Sequence, residues 1–98
     1  MITTPEELID TKIRTLNNAI AVEIQKRLFG FGFNWKWTVS EKIHNRSIPY
    51  LYVYASGGLT RGTDPFHFEA KGFKEIKVEQ ILGKNHKLLR RWNYGKKI

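Results

Sequence analysis

The sequence predicts an α+β domain: one main helix packed on a largely antiparallel sheet of four to five strands, plus a basic C-terminal helix. Three observations carry that prediction. Apolar side chains recur at helical spacing from Ile20 to Phe31. Stretches near residues 9–15, 33–39 and 50–55 alternate with the period of two that marks a strand, and residues 73–78 read as a further strand. The order of these segments leaves a single main helix to cover a single sheet. A chain of 98 residues has the size of one domain, which divides here into an α+β core over residues 1–82 and a basic helix or tail over residues 83–98.

TPEEL, residues 4–8, predicts a short helical turn, with Thr4 as cap, Pro5 in the first turn and Glu6 and Glu7 at the positive dipole end. Ile9, Thr11, Ile13 and Thr15 then alternate with Asp10, Lys12 and Arg14, the pattern of a strand with one buried face. Asn17 or Asn18 caps the next element, the main helix. Its stripe is Ile20, Ala21, Ile24, Leu28 and Phe31. Glu23 and Arg27 are spaced to pair on its outer face, and Gly30 and Gly32 stop it.

FNWKWTV, residues 33–39, reads as a strand that turns Phe33, Trp35, Trp37 and Val39 to the core and Asn34, Lys36 and Thr38 away from it. YLYVYA, residues 50–55, reads as the next strand, SGG turns it into LTRG, and FKEIKV, residues 73–78, is a further strand. TDPFHFEAKG between them reads as an irregular excursion with one short strand. A second helix is expected from Asn85 to Tyr94, with Leu88, Leu89 and Trp92 as its apolar stripe and Lys84, Lys87 and Arg91 on a neighbouring face.

Charge is unevenly distributed. Net charge is +8, yet residues 1–82 hold eleven Lys/Arg against nine Asp/Glu, whereas residues 83–98 hold Lys84, Lys87, Arg90, Arg91, Lys96 and Lys97 with no acid. Such a cluster attracts a polyanion. Interleaved with Trp92 and Tyr94, it offers cations for phosphates and flat rings on which bases stack. The structural alternative has Leu88, Leu89 and Trp92 simply docking the last helix on the sheet, and both can hold at once.

The second constellation is a tyrosine ladder. Tyr50, Tyr52 and Tyr54 share one face of their strand, and Leu51, Val53 and Ala55 share the other. If the aliphatic face meets the helix, the tyrosines either form an open stacking platform with Lys36 or pack beneath the C-terminal helix. Trp35 and Trp37 are expected in the core, because exposed tryptophans invite aggregation.

Other chemistries find little support. His44, His67 and His86 are far apart. DPFHFE brings Asp64, His67 and Glu69 close in sequence, and His67 and Glu69 would share a strand face, but nothing fixes a third ligand beside that pair, so no metal and no other cofactor is expected. GGLTRG lacks the strand-to-helix setting of a phosphate-cradling glycine loop. With neither a nucleophile–base pattern nor a metal centre, the chain is not expected to be an enzyme. The absence of cysteine fits a reducing cytoplasm. MITTPEELID has no apolar run, so no signal peptide is expected, and no stretch reaches the roughly 18 apolar residues of a membrane span. A three-residue stripe on the basic helix is thin for membrane-surface insertion. We therefore expect no membrane partner.

AVEIQKRLFGFGFNWKW, followed by IPYLYVY, GGLTRG and FKEIKVEQIL, resembles a pattern of small accessory proteins of T4-like tailed phages. The resemblance rests on Leu28-Phe29 with Gly30, on Trp35-Lys36-Trp37 and on Pro49 to Val53, and spans about residues 12–82. It implies a fold, and a host-takeover or anti-defence role in the cytoplasm of an infected bacterium. One such class inhibits host toxin–antitoxin systems through RNA bound to a ribonuclease toxin. The resemblance carries over no catalytic residue.

These readings converge on a small RNA-binding phage protein that acts stoichiometrically, with RNA preferred to DNA as partner and a host toxin as a further one. Lys84, Lys87, Arg90, Arg91, Lys96 and Lys97 are the expected phosphate contacts. Trp92, Tyr94, Tyr50, Tyr52 and Tyr54 are the expected stacking groups, and Lys12, Arg14 and Lys36 extend the track. The alternative is an inhibitor that docks its cationic helix on an acidic surface of a host protein.

Overall fold

The computed structural model describes residues 1–38, 40–45, 48–62 and 72–89. Among them the chain is α+β, with a five-stranded sheet covered on one face by helices. A 3-10 turn, Pro5–Glu7, precedes strand β1, Thr11–Arg14. Helix α1, Asn18–Gly30, follows, then β2, Asn34–Trp35, β3, Tyr50–Val53, β4, Gly58–Gly62, β5, Lys74–Lys77, and a short helix α2, Val78–Leu82.

The first turn forms where its capping signal lies. The Glu7 carboxylate accepts from the Thr3 and Thr4 amides at 2.9 and 3.0 Å and from the Thr4 hydroxyl at 3.1 Å. These donors, the Thr3 amide first, favour the ionised form and hold the Glu7 pKa below its ordinary value.

Helix α1 is defined at both ends by local chemistry. The Asn17 side chain accepts from the Ile20 amide at 2.9 Å. At the other end the Phe33 amide donates to Leu28 and the Gly32 amide to Phe29, with Gly32 at φ 100. That is a Schellman arrangement, and its left-handed residue is the glycine it favours. Asn17→Ala is expected to cost about 1 kcal/mol by urea denaturation, the usual loss of an N-cap. An unchanged unfolding midpoint would show that the cap is not holding the helix.

Ile20, Ala21, Ile24 and Leu28 on α1 are fully buried against Ile13, Leu51, Val53 and Leu59, with Val78, Ile81 and Leu82 of α2 in the same cluster. Phe31, expected in the stripe, is partly buried at its margin. Glu23 pairs with Lys26 at 3.4 Å rather than with Arg27. At the surface such a pair contributes little.

The sheet is mixed, not largely antiparallel. Its order is β2-β4-β3-β1-β5. The central pairs β1–β3 and β3–β4 are antiparallel, but both outer pairs, β1–β5 and β2–β4, are parallel. Connections between strands that are not neighbours produce this. The chain passes from β1 through α1 to the far edge, and β5 later returns beside β1, setting Ile76 in register with the buried Ile13.

The strand expected over 33–39 is cut to two residues. Trp35 donates its amide to Ser40 and its indole N–H to the Lys42 carbonyl at 2.7 Å, and residues 36–38 turn away from the sheet. Phe33 and Trp35 reach the core as expected, but the turn ends the alternation and leaves Trp37 74% exposed. Val39 and the DPFHFE segment lie outside the described residues. Helix α2, which the strand pattern hid, starts where β5 ends.

Of the expected C-terminal helix, only the beginning is described. Residues 87–89 are helical, Leu89 is buried in the common core, and Leu88 packs partly against it. Residues 90–98 lie outside the described residues. Among the described residues no helix is long and apolar enough to cross a membrane.

Candidate nucleic-acid interface

Helices α1 and α2 occupy one face of the sheet, and strand alternation sends a second set of side chains to the other. The registers arrange these in rows across the strands. One row runs Lys77, Arg14, Tyr50, Gly62; the next runs Glu75, Lys12, Tyr52, Thr60. Tyr54 continues the ladder beyond β3. Lys36 reaches the same face from the turn after β2, its ammonium 4.5 Å from the centre of the Tyr54 ring. Six of the expected site residues, Lys12, Arg14, Lys36, Tyr50, Tyr52 and Tyr54, thus share one face.

The ladder is graded in depth. Tyr50 and Tyr52 stack with centroids 6.3 Å apart and planes 22° from parallel. Tyr50 is half-buried, but Tyr52 is 0% exposed, although it lies on the face away from α1. A ring without accessible surface cannot stack on a base, so Tyr52 is part of the floor. Tyr54 is also half-buried. It packs edge-on against Phe73 at 5.2 Å, and the Thr60 hydroxyl donates to its hydroxyl at 3.2 Å.

The row at the Tyr50 end is the most open. Arg14 and Lys77 are neighbours across a parallel pair, both exposed, and Tyr50 lies on the other side of Arg14. Like charges in register are unfavourable unless an anion lies between them. Gly62, opposite Tyr50, places no side chain against that ring. Pattern reading missed Lys77, because its parallel partner is remote in sequence and FKEIKV carries no sign of which strand it will join.

Gly58 has a structural duty on this face. A β-carbon there would lie 3.0 Å from the Lys36 Cβ and 3.3 Å from its Cα, so the glycine lets the turn after β2 close on the sheet.

Lys84 and Lys87 are exposed and form no ion pair among the described residues. They do not join the tyrosine face: Lys87 lines a groove with Ala19, Val22 and Glu23 of α1, on the opposite side of the sheet. Arg90, Arg91, Trp92, Tyr94, Lys96 and Lys97 lie outside the described residues, as does the cover that the C-terminal helix was expected to give the ladder. Asp64, His67 and Glu69 lie outside them too. Among the described residues no group of three or more His, Asp or Glu side chains is placed to hold a metal ion.

No family model matches the chain, and neither a curated protein nor a solved structure matches it.

Proposed function

We propose that this chain is a small RNA-binding protein that works by stoichiometric binding rather than catalysis. The observation that carries the reading is the row Lys77, Arg14, Tyr50: two exposed cations side by side and an accessible aromatic ring next to them. Cations at that spacing suit consecutive phosphates, and an adjacent ring suits a base from a single strand. Lys12 and Lys36 extend the basic face. Lys84, Lys87, Arg90, Arg91, Lys96 and Lys97 supply a second set of phosphate contacts, with Trp92 and Tyr94 as stacking groups. Single-stranded RNA is the preferred ligand, since among the described residues this sheet face carries no element to insert into a duplex groove.

The finer reading rests on the sequence resemblance to accessory proteins of T4-like phages. On it, the protein traps a host ribonuclease toxin together with its RNA in the cytoplasm of the infected cell.

The test is salt-dependent binding of a fluorescent oligoribonucleotide. Each lost phosphate contact lowers the slope of log K against log salt by about 0.7 on a single strand, so Arg14→Gln with Lys77→Gln is expected to flatten it by about 1.4 and to weaken binding. Arg90→Glu with Arg91→Glu is expected to weaken it further. Unchanged affinity and slope in both pairs would overturn the reading. A host protein that stays bound after nuclease treatment would instead favour docking on an acidic protein surface.

A further inference from the structure

The turn that expels Trp37 creates a half-open cleft of about 380 Å³ at the β2–β4 edge, away from the Arg14–Lys77 row. That volume is at the lower end of the roughly 300–1,000 Å³ usual for small-ligand sites. The buried Trp35 and Leu59 form its floor, His44 closes one side, and the exposed Trp37 and Arg61 stand at its mouth.

Three features make this a built site. First, the His44 wall is fixed: the fully buried Gln25 side chain donates to the His44 carbonyl at 2.9 Å and accepts from its amide at 2.7 Å. The imidazole in turn meets the Trp35 ring edge-on at 5.0 Å. Second, β4 presents bare backbone here. The Tyr54 amide bonds the Gly58 carbonyl, so by alternation Leu59 and Arg61 turn their amides and carbonyls away from β3. The Lys36 amide takes the Leu59 carbonyl, but β2 has already ended at Trp35, and among the described residues none pairs with Arg61 along that edge. Third, the charge among the described residues is one-signed. Arg61 is exposed at the mouth, the Lys36 ammonium lies 5.3 Å from the Trp37 ring centre, and none of the described lining residues is a carboxylate.

We propose that this cleft is a one-nucleotide subsite. A base stacks on Trp37, its hydrogen-bonding edge meets the Arg61 backbone amide and carbonyl, and the attached phosphate is held by the Arg61 guanidinium. A stacking ring, a donor–acceptor pair and a cation are together what a nucleotide recognises, and a purely apolar ligand would use only the first. This deepens the RNA-binding reading and rests on it, placing one unstacked nucleotide at the edge opposite β5.

The experiment is a titration of the isotope-labelled full chain with uridine monophosphate, adenosine monophosphate and a hexauridylate, followed by NMR. The Trp37 indole N–H and the Arg61 amide are expected to shift saturably with the hexanucleotide. Trp37→Ala is expected to weaken its binding about 5- to 150-fold, the range of one base–aromatic stack, while Trp37→Phe retains most of it. Because Trp37 is exposed, neither variant should lower the melting temperature. If the hexanucleotide binds while both signals stay still and Trp37→Ala binds as tightly, the subsite is overturned and RNA binding stands. If the mononucleotides move both signals but the hexanucleotide binds no tighter than they do, the subsite stands and the RNA reading falls. Still signals with every ligand, together with no binding of the hexanucleotide, overturn both.

Discussion

Tyr52→Ala is expected to lower stability by about 3–5 kcal/mol, the usual cost of truncating a large buried aromatic side chain. Tyr52 is fully buried, stacks on Tyr50 and lies between Lys12 and Thr60 in its row. Removing the ring opens a void in the centre of the sheet face and takes the support from beneath Tyr50. Tyr50→Ala, at a half-buried position, should cost far less in stability and more in RNA affinity. Urea denaturation of both variants at constant m-value, beside oligonucleotide binding, separates floor from platform. If Tyr52→Ala unfolded at the wild-type midpoint and lost only binding, Tyr52 would be a ligand contact and the graded ladder would be wrong.

Gln25→Ala is expected to cost about 2–4 kcal/mol, because a buried amide or carbonyl left without its partner loses roughly 1–3 kcal/mol. Gln25 is 0% exposed and makes three hydrogen bonds: its amide nitrogen donates to Ala21 and His44 carbonyls, and its oxygen accepts from the His44 amide. It therefore fastens the 40–45 loop to α1 and, through that loop, positions the His44 wall of the cleft. The expected signature beyond the midpoint shift is faster hydrogen exchange at the His44 amide, with the Trp35–Lys42 hydrogen bond keeping the start of the loop in place. A His44 amide as protected as in the wild type would show that the clamp is dispensable.

Much of this fold can be read from short-range pattern. The Asn17 cap, the Ile20, Ile24, Leu28 stripe and the Gly32 stop locate α1, because helix ends are decided by side-chain and backbone groups within a few residues. The alternation in β1 and β3 correctly sorts Ile13, Leu51 and Val53 from Lys12, Arg14 and the tyrosines, since one side of a pleated strand must meet the helix. The glycine turn into β4 was equally legible. Gln25 was not: a polar residue on an amphipathic helix reads as surface until a loop is known to cross above it.

The candidate site divides in the same way. That Tyr50, Tyr52 and Tyr54 share a face follows from period-two spacing alone, whereas Lys36 joins them from the turn after β2. Which of them a ligand can reach does not, since Tyr52 and Tyr50 differ in accessibility, not in pattern. Trp37 shows the converse error: alternation places it inside, and only the hydrogen bond from Trp35 to Ser40, which ends the strand early, sends it out.

Local residue order is thus enough to settle where α1 begins and ends and which side chains each strand turns toward it, because those choices are made by neighbours in the chain. Strand partnership belongs to the assembled molecule. The pairing of β5 with β1, which sets Lys77 beside Arg14, and of β2 with β4, which opens the Trp37 cleft, joins segments far apart in sequence. Those contacts are selected by the fit of the whole core, and no short stretch of sequence encodes them.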